Sequence, residues 1–349
     1  MYQRIAFKTL CLGWFLSGAA LAQTEQTYAT IGEVVRNDAK LNQLIPPDAK
    51  IEIIAAGFGH LEGPVWVKSR VADSSGYLLV NDTKAQTTYK WSPQTGLSKY
   101  IEHTGYTGHL PYSEEPGSNG MTIDRQGRLI VCDHGDRRIA ALPLAGKGGK
   151  RTLTDAYQGK RYNSPNDVVA HPNGSLYFTD PPYGLPLKDK DPTRETTVNG
   201  VYRLEPNGTV TLLIRDITYP NGLSFSPGKG NLLYVVQSDS LNQKIMTYPV
   251  KDDGTVEKGR LFFDASTLPK FRPKEVIDGI KVDSEGNCWV AGPGGVLVIS
   301  PASKLLGRID TGEVISNLAW GDDGTTLYLA SSMFLCRIKT NVKGILAGK

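Results

Sequence analysis

Two stretches decide the fold: Asn119-Gly120-Met121-Thr122-Ile123-Asp124-Arg125-Gln126-Gly127-Arg128-Leu129-Ile130-Val131 and Asn166-Asp167-Val168-Val169-Ala170-His171-Pro172-Asn173-Gly174-Ser175-Leu176-Tyr177-Phe178. Each is a small polar residue, an apolar strand, a turn closed by glycine and a second apolar strand, the pattern of a β-hairpin. Four further copies carry Glu62 with Gly76, Asn221 with Gly230, Asp278 with Gly286 and Asn317 with Gly324. Successive turn glycines lie 38 to 56 residues apart. A period near fifty with short strands is that of propeller blades, not of helical solenoids. The expectation is an all-β, six-bladed β-propeller over residues 50–340, with an N-terminal extension at 23–49 and a C-terminal tail at 341–349. The last copy leaves about 25 residues after its glycine. Ile51–Ala56 would therefore supply its outer strand and close the ring without a free edge.

The 349 residues carry a formal charge of +4, with 21% charged and 40% hydrophobic side chains. That mixture excludes a disordered chain and gives no basic surface for nucleic acid or a polybasic membrane contact. At the start, Arg4 and Lys8 precede an apolar run from Thr9 to Phe15, and the stretch ends on Ala20-Leu21-Ala22. This is the form of a cleaved secretory signal over 1–22; the run is too short for a membrane anchor. The protein is expected to be secreted or periplasmic, with no anchor after cleavage. Cys132, Cys288 and Cys336 lack CxxC spacing and sit in apolar runs; they read as buried free thiols rather than a disulfide framework.

In a closed ring the six polar positions converge on the axis: Glu62, Asn119, Asn166, Asn221, Asp278 and Asn317. Oxygen-only ligation by carboxylates and amides selects a hard cation, Ca2+ before Mg2+, although another divalent ion would fit. The alternative is that Asn or Asp before Gly is a local turn; Glu62 is no turn former. The second strands return to the same mouth, bringing His134 and Asp180 with them. Inserts at 103–118 and 184–199 open there as rims or lids. Trp66, Trp289 and Trp320 follow the inner-strand pattern and read as core between blades, and Arg137 and Arg138 as a solvated or salt-bridged hairpin edge.

The pieces Glu62-Gly63-Pro64-Val65-Trp66, Asn163-Ser164-Pro165-Asn166-Asp167-Val168, Phe178-Thr179-Asp180-Pro181-Pro182-Tyr183-Gly184, Tyr219-Pro220-Asn221-Gly222-Leu223 and Ile277-Asp278-Gly279-Ile280 resemble the senescence marker protein/gluconolactonase/luciferin-regenerating-enzyme-like family, in its microbial gluconolactonase branch. The resemblance implies one catalytic divalent cation, usually Ca2+, on Glu62, Asn221 and Asp278, with Asn166 a fourth ligand or a substrate contact, and Asp278 as the base. Animal members carry an Arg two residues before the Asn166 position and an acidic residue near Gly184; Ser164 and Gly184 stand there in this chain. Sugar contacts are then expected from His134, Arg161, Asp180 and Tyr183, and from Asn119 and Asn317 unless these only support the ring.

The expected function is an exported calcium-dependent sugar lactone hydrolase, a gluconolactonase-like enzyme in which Asp278 is base and ligand, or ligand alone. A serine nucleophile has no GxSxG motif to stand on. Alternatives are a metal-dependent phosphotriesterase on the same ring, a non-catalytic propeller binding a ligand or protein, and a periplasmic sugar oxidoreductase, for which no cofactor fingerprint is present.

Overall fold

The computed structural model describes residues 27–69, 76–144, 148–273 and 275–348; the signal-like segment 1–22 lies outside them. Among the described residues, besides a two-stranded ribbon of Ala156–Tyr157 with Lys160–Arg161, six antiparallel sheets are strung in chain order. Their inner strands are Leu61–Val67, Ser118–Ile123, Val168–Ala170, Pro220–Phe225, Ile280–Val282 and Ile315–Gly321. Each inner strand pairs with the strand that follows it in sequence, so every repeat is one blade built outward from the axis. The hairpin turns have a chemical cause: Asp124 Oδ1 accepts the Gln126 and Arg128 N–H groups, while Gly127 takes φ of +70°, which a side chain would resist.

Blade six is completed by the N-terminal strand Glu52–Ala56, antiparallel to Phe334–Lys339, and the Arg337 guanidinium donates to Glu52 at 2.6 Å. The residues ahead of that strand do more than extend it. Glu33–Arg36 adds a fifth strand to blade five by pairing with Leu305–Asp310, and the short helix Leu41–Leu44 buries both its leucines.

Apolar side chains are packed between blades, not into one central core. Separate clusters join blades one and two, two and three, three and four, and four and five. The largest joins five, six, one and the N-terminal segment. There Trp66 stacks on Tyr328 at 5.5 Å and Trp289 meets Trp320 edge-on at 5.2 Å, the inter-blade places expected of these tryptophans. Cys132, Cys288 and Cys336 are buried and unpaired.

The glycines that follow the axial residues have a reason other than a turn. A Cβ on Gly63 would lie 2.0 Å from the Asn119 carbonyl oxygen, and one on Gly222 would lie 2.4 Å from that of Asp278. Neighbouring inner strands approach backbone to backbone around the axis, and only glycine leaves room. The polar side chain just before each such glycine is thereby held at the axis.

Candidate active site

At one mouth of the ring lies a cavity of about 550 Å3 walled by Glu62, Asn119, Asn166, Asn221 and Asp278. Five of the six axial positions are thus brought together, from blades one to five. Glu62 is fixed by two donors to Oε2, the Gly63 N–H and the Asn317 amide, each at 3.0 Å, and His60 Nε2 stands 3.9 Å from Oε1. Burial raises the Glu62 carboxyl to about 7, against the opposing influence of His60, Asn317 and Gly63. Burial and the facing charge of Glu62 also raise Asp278 well above the ordinary carboxylate range, and the Asn221 side chain hydrogen-bonds to it. Asp278 Oδ1 and Asn119 Oδ1 are buried with no hydrogen-bond donor. Among the described residues no three His, Cys, Asp or Glu side chains gather as one metal-binding group; the set that converges consists of two carboxylates and amide oxygens.

His134 and Tyr183 also line this cavity. His134 hangs at the end of strand Arg128–Asp133 with Nδ1 3.2 Å from the Glu115 carbonyl and Nε2 unpartnered. Burial lowers its proton affinity, so the imidazole is neutral, with Nδ1–H directed at that carbonyl and Nε2 left as an acceptor. Tyr183 stacks on Tyr219 at 6.1 Å, and its hydroxyl bonds to Ser238 while burial and the Asp278 charge raise its pKa. The two inserts form the rim, through Glu114 and Glu115 on one side and Leu185, Pro186, Lys188 and Asp189 on the other.

Three residues expected to face substrate stand elsewhere. The Asn317 side-chain NH2 is spent on Glu62, and its side-chain Oδ1 accepts the Leu318 N–H at 2.9 Å; it positions a carboxylate and does not line the cavity. Asp180 lies beneath the wall, accepting the Asn163 and Ser164 N–H groups at 2.8 Å each, and so holds the loop that presents Asn166. Arg161 is exposed on a two-residue strand, donating to the Asp136 carbonyl at 2.8 Å. Arg137, far from being a solvated edge, is buried, with Nε on the Tyr162 carbonyl at 2.7 Å and Nη1 on that of Thr193 at 3.0 Å. It ties the 184–199 insert to blade two. Gly184 lacks a side chain because His134 fills its space: a Cβ there would lie 2.6 Å from the His134 Cβ.

The sequence alone did not mark His60 or Tyr219 as wall residues. Ser238 and Asp239 follow a second strand, as His134 does, and that placement was the available signal. His60 and Tyr219 each lie two residues before an axial residue, where the repeat has no fixed chemistry.

Residues 61–333 match the SMP-30/Gluconolactonase/LRE-like region. The chain belongs to this family. A gluconolactonase of Zymomonas mobilis is 34% identical over 338 residues, spanning 93% of this chain and 91% of that protein. The structure of a gluconolactonase from Xanthomonas campestris superposes with a TM-score of 0.74 at 26% identity, covering 90% of this chain and 99% of the other. A regucalcin from Agrobacterium tumefaciens, described as a calcium-binding protein, shares the fold with a TM-score of 0.66 at 18% identity over 84% of this chain and 95% of its own. This family member is a lactone-hydrolysing enzyme of the gluconolactonase type. The axial ring lies within the matched residues, as does every residue lining the cavity above it except His60.

Proposed function

We propose that the cavity binds an uncharged sugar lactone, an aldonolactone of the glucono-1,5-lactone type, and opens it to the acid with a calcium ion held by Glu62, Asn166, Asn221 and Asp278. The observation that carries this reading is that the buried Glu62 and the half-buried Asp278 carboxylates interact across the cavity while the inner oxygen of Asp278, Oδ1, is left without a donor. Oxygen acceptors gathered in this way without protons to share fit a hard cation. When bound, the ion supplies Lewis-acid polarisation of the lactone carbonyl and stabilises the oxyanion.

Asp278 takes the proton of the attacking water. It retains a cavity-facing surface; partial burial beside Glu62 raises its proton affinity, which offsets the weakening that a bound dication imposes on a ligand carboxylate. Asn221 fixes its orientation. His134 Nε2 can accept from a sugar hydroxyl, while Tyr183 and Tyr219 offer a flat aromatic wall to a sugar ring. The rim carries Glu114, Glu115, Asp189 and Asp239 against Lys188. That field suits a neutral polyol over a phosphorylated sugar, and it repels the carboxylate product once the ring has opened.

The test is purified protein stripped with chelator and reloaded metal by metal, assayed on glucono-1,5-lactone, a pentonolactone and one phosphotriester. Lactone turnover should vanish on stripping and return with Ca2+. Lactone turnover that survives complete stripping sinks the calcium reading, and faster turnover of the phosphotriester moves the substrate class. Asp278→Asn should lose at least about a hundredfold in kcat while still binding Ca2+. We also infer export, on Arg4, Lys8 and the Thr9–Ala22 stretch; N-terminal sequencing of protein recovered outside the cytoplasm should begin after Ala22.

A further inference from the structure

The axis opens at a second mouth, opposite the active-site cavity. A space of about 390 Å3 lies there, bounded by Trp66, Ile123, Phe225, Trp320 and the tail residues Ile345–Gly348. Lys281 lines this far cavity and sends its ammonium back to the axis, 3.9 Å from Asp167 Oδ2 and 3.1 Å from its own chain at the Ile280 carbonyl.

Asp167 stands where blades one, two, four and five have the glycine that follows the axial residue. It is 2% exposed. Its Oδ1 accepts the Val168 N–H at 2.9 Å, and its Oδ2 has no hydrogen-bond donor. Asp167 does not line the active-site cavity, so it is not placed to ligate an ion there. Its charge nevertheless reaches both axial carboxylates, raising the proton affinity of Glu62 and of Asp278.

Three carboxylates, the buried Glu62 and Asp167 and the half-buried Asp278, therefore share one axis. A dication offsets two of their charges, and Lys281, entering from the other face, offsets the third. Charges held inside the ring, away from bulk water, are weakly screened and act beyond contact distance. We propose that the Asp167–Lys281 pair sets the calcium affinity of the axial site through this field, Asp167 strengthening binding and Lys281 restraining it, with neither acting as a ligand. The inference rests on the calcium reading above and assigns these two residues positioning roles, not catalytic ones.

The experiment is calorimetric titration of the stripped full-length protein with Ca2+, with folding followed by circular dichroism. Asp167→Asn should weaken calcium binding about tenfold and Lys281→Met should tighten it by several fold. The double variant should return to within about threefold of the wild type. Lys281→Arg, which keeps the charge and has the far cavity to grow into, should bind as the wild type does. If Lys281→Met does not fold, Asp167→Asn against the double variant reads the same coupling. Calcium affinity within twofold of wild type in all the folded variants overturns this inference and leaves the calcium site standing. A wild-type chain that binds no calcium overturns both.

Discussion

Asn317 shows how an axial residue can serve the site without meeting substrate. Its amide is one of two donors to Glu62 Oε2, and hydrogen bonds to a charged acceptor are worth about 1.5–3 kcal/mol when buried. Asn317→Ala should therefore weaken calcium retention and kcat together while the circular dichroism spectrum is unchanged; an effect on KM alone would instead make Asn317 a substrate contact. Gly184→Ala should drive a methyl into the His134 side chain, 2.6 Å from its Cβ, costing about 1–3 kcal/mol as overpacking, read as a lower Tm and a raised KM. These residues also mark what the sequence could disclose. The axial positions were legible because six hairpins repeat the same spacing, and a ring then forces convergence. Asp167 was hidden because the repeat itself puts glycine at its position, and nothing local tells an axial carboxyl from a turn former. Arg161 was misplaced because an arginine near a motif carries no sign of which face its strand presents.

At the scale of the element, closure separates the two N-terminal strands. Glu52–Ala56 was readable in advance because blade six runs out of chain and its edge must be covered. Glu33–Arg36 was not, since blade five already has four strands and a four-residue segment gives no periodicity to read. Their consequences differ in kind. Removing residues 1–37 should strip the fifth strand of blade five, exposing an edge that carries Arg308 and Asp310, and the short pairing of Ala29–Ile31 with Ile51–Ile53 beside it, while leaving Glu52–Ala56 on blade six. The product should stay soluble and melt a few degrees lower. Removing residues 1–56 should leave Phe334–Lys339 unpaired on one side and withdraw Ile51, Ile54 and the buried leucines of the short helix from the largest cluster. An open, partly apolar edge of this kind templates pairing with another chain. Size-exclusion chromatography should then show aggregates, and a monodisperse product with near-native Tm would mean the strand is not the closure.

The whole molecule is a ring in which each blade is held by clusters on both sides, so no blade can leave without opening two interfaces. A single unfolding transition is the consequence. An ion at the axis reinforces this, because its proposed ligands come from blades one, three, four and five, and the unfolded chain does not assemble them. Binding that is confined to the native state stabilises by about 2.7 kcal/mol at a hundred times Kd. For a propeller of this length that is a rise in Tm of about 4 °C. Thermal melts of stripped protein titrated with Ca2+ should show one transition moving upward with the logarithm of calcium concentration and no plateau. Glu62→Gln, by removing one of the two axial carboxylates and so raising Kd, should displace that rise to higher calcium concentration. Two resolved transitions, one calcium-sensitive and one not, would show that some blades melt apart from the axis, and the ring would then be a string of modules in place of one cooperative unit.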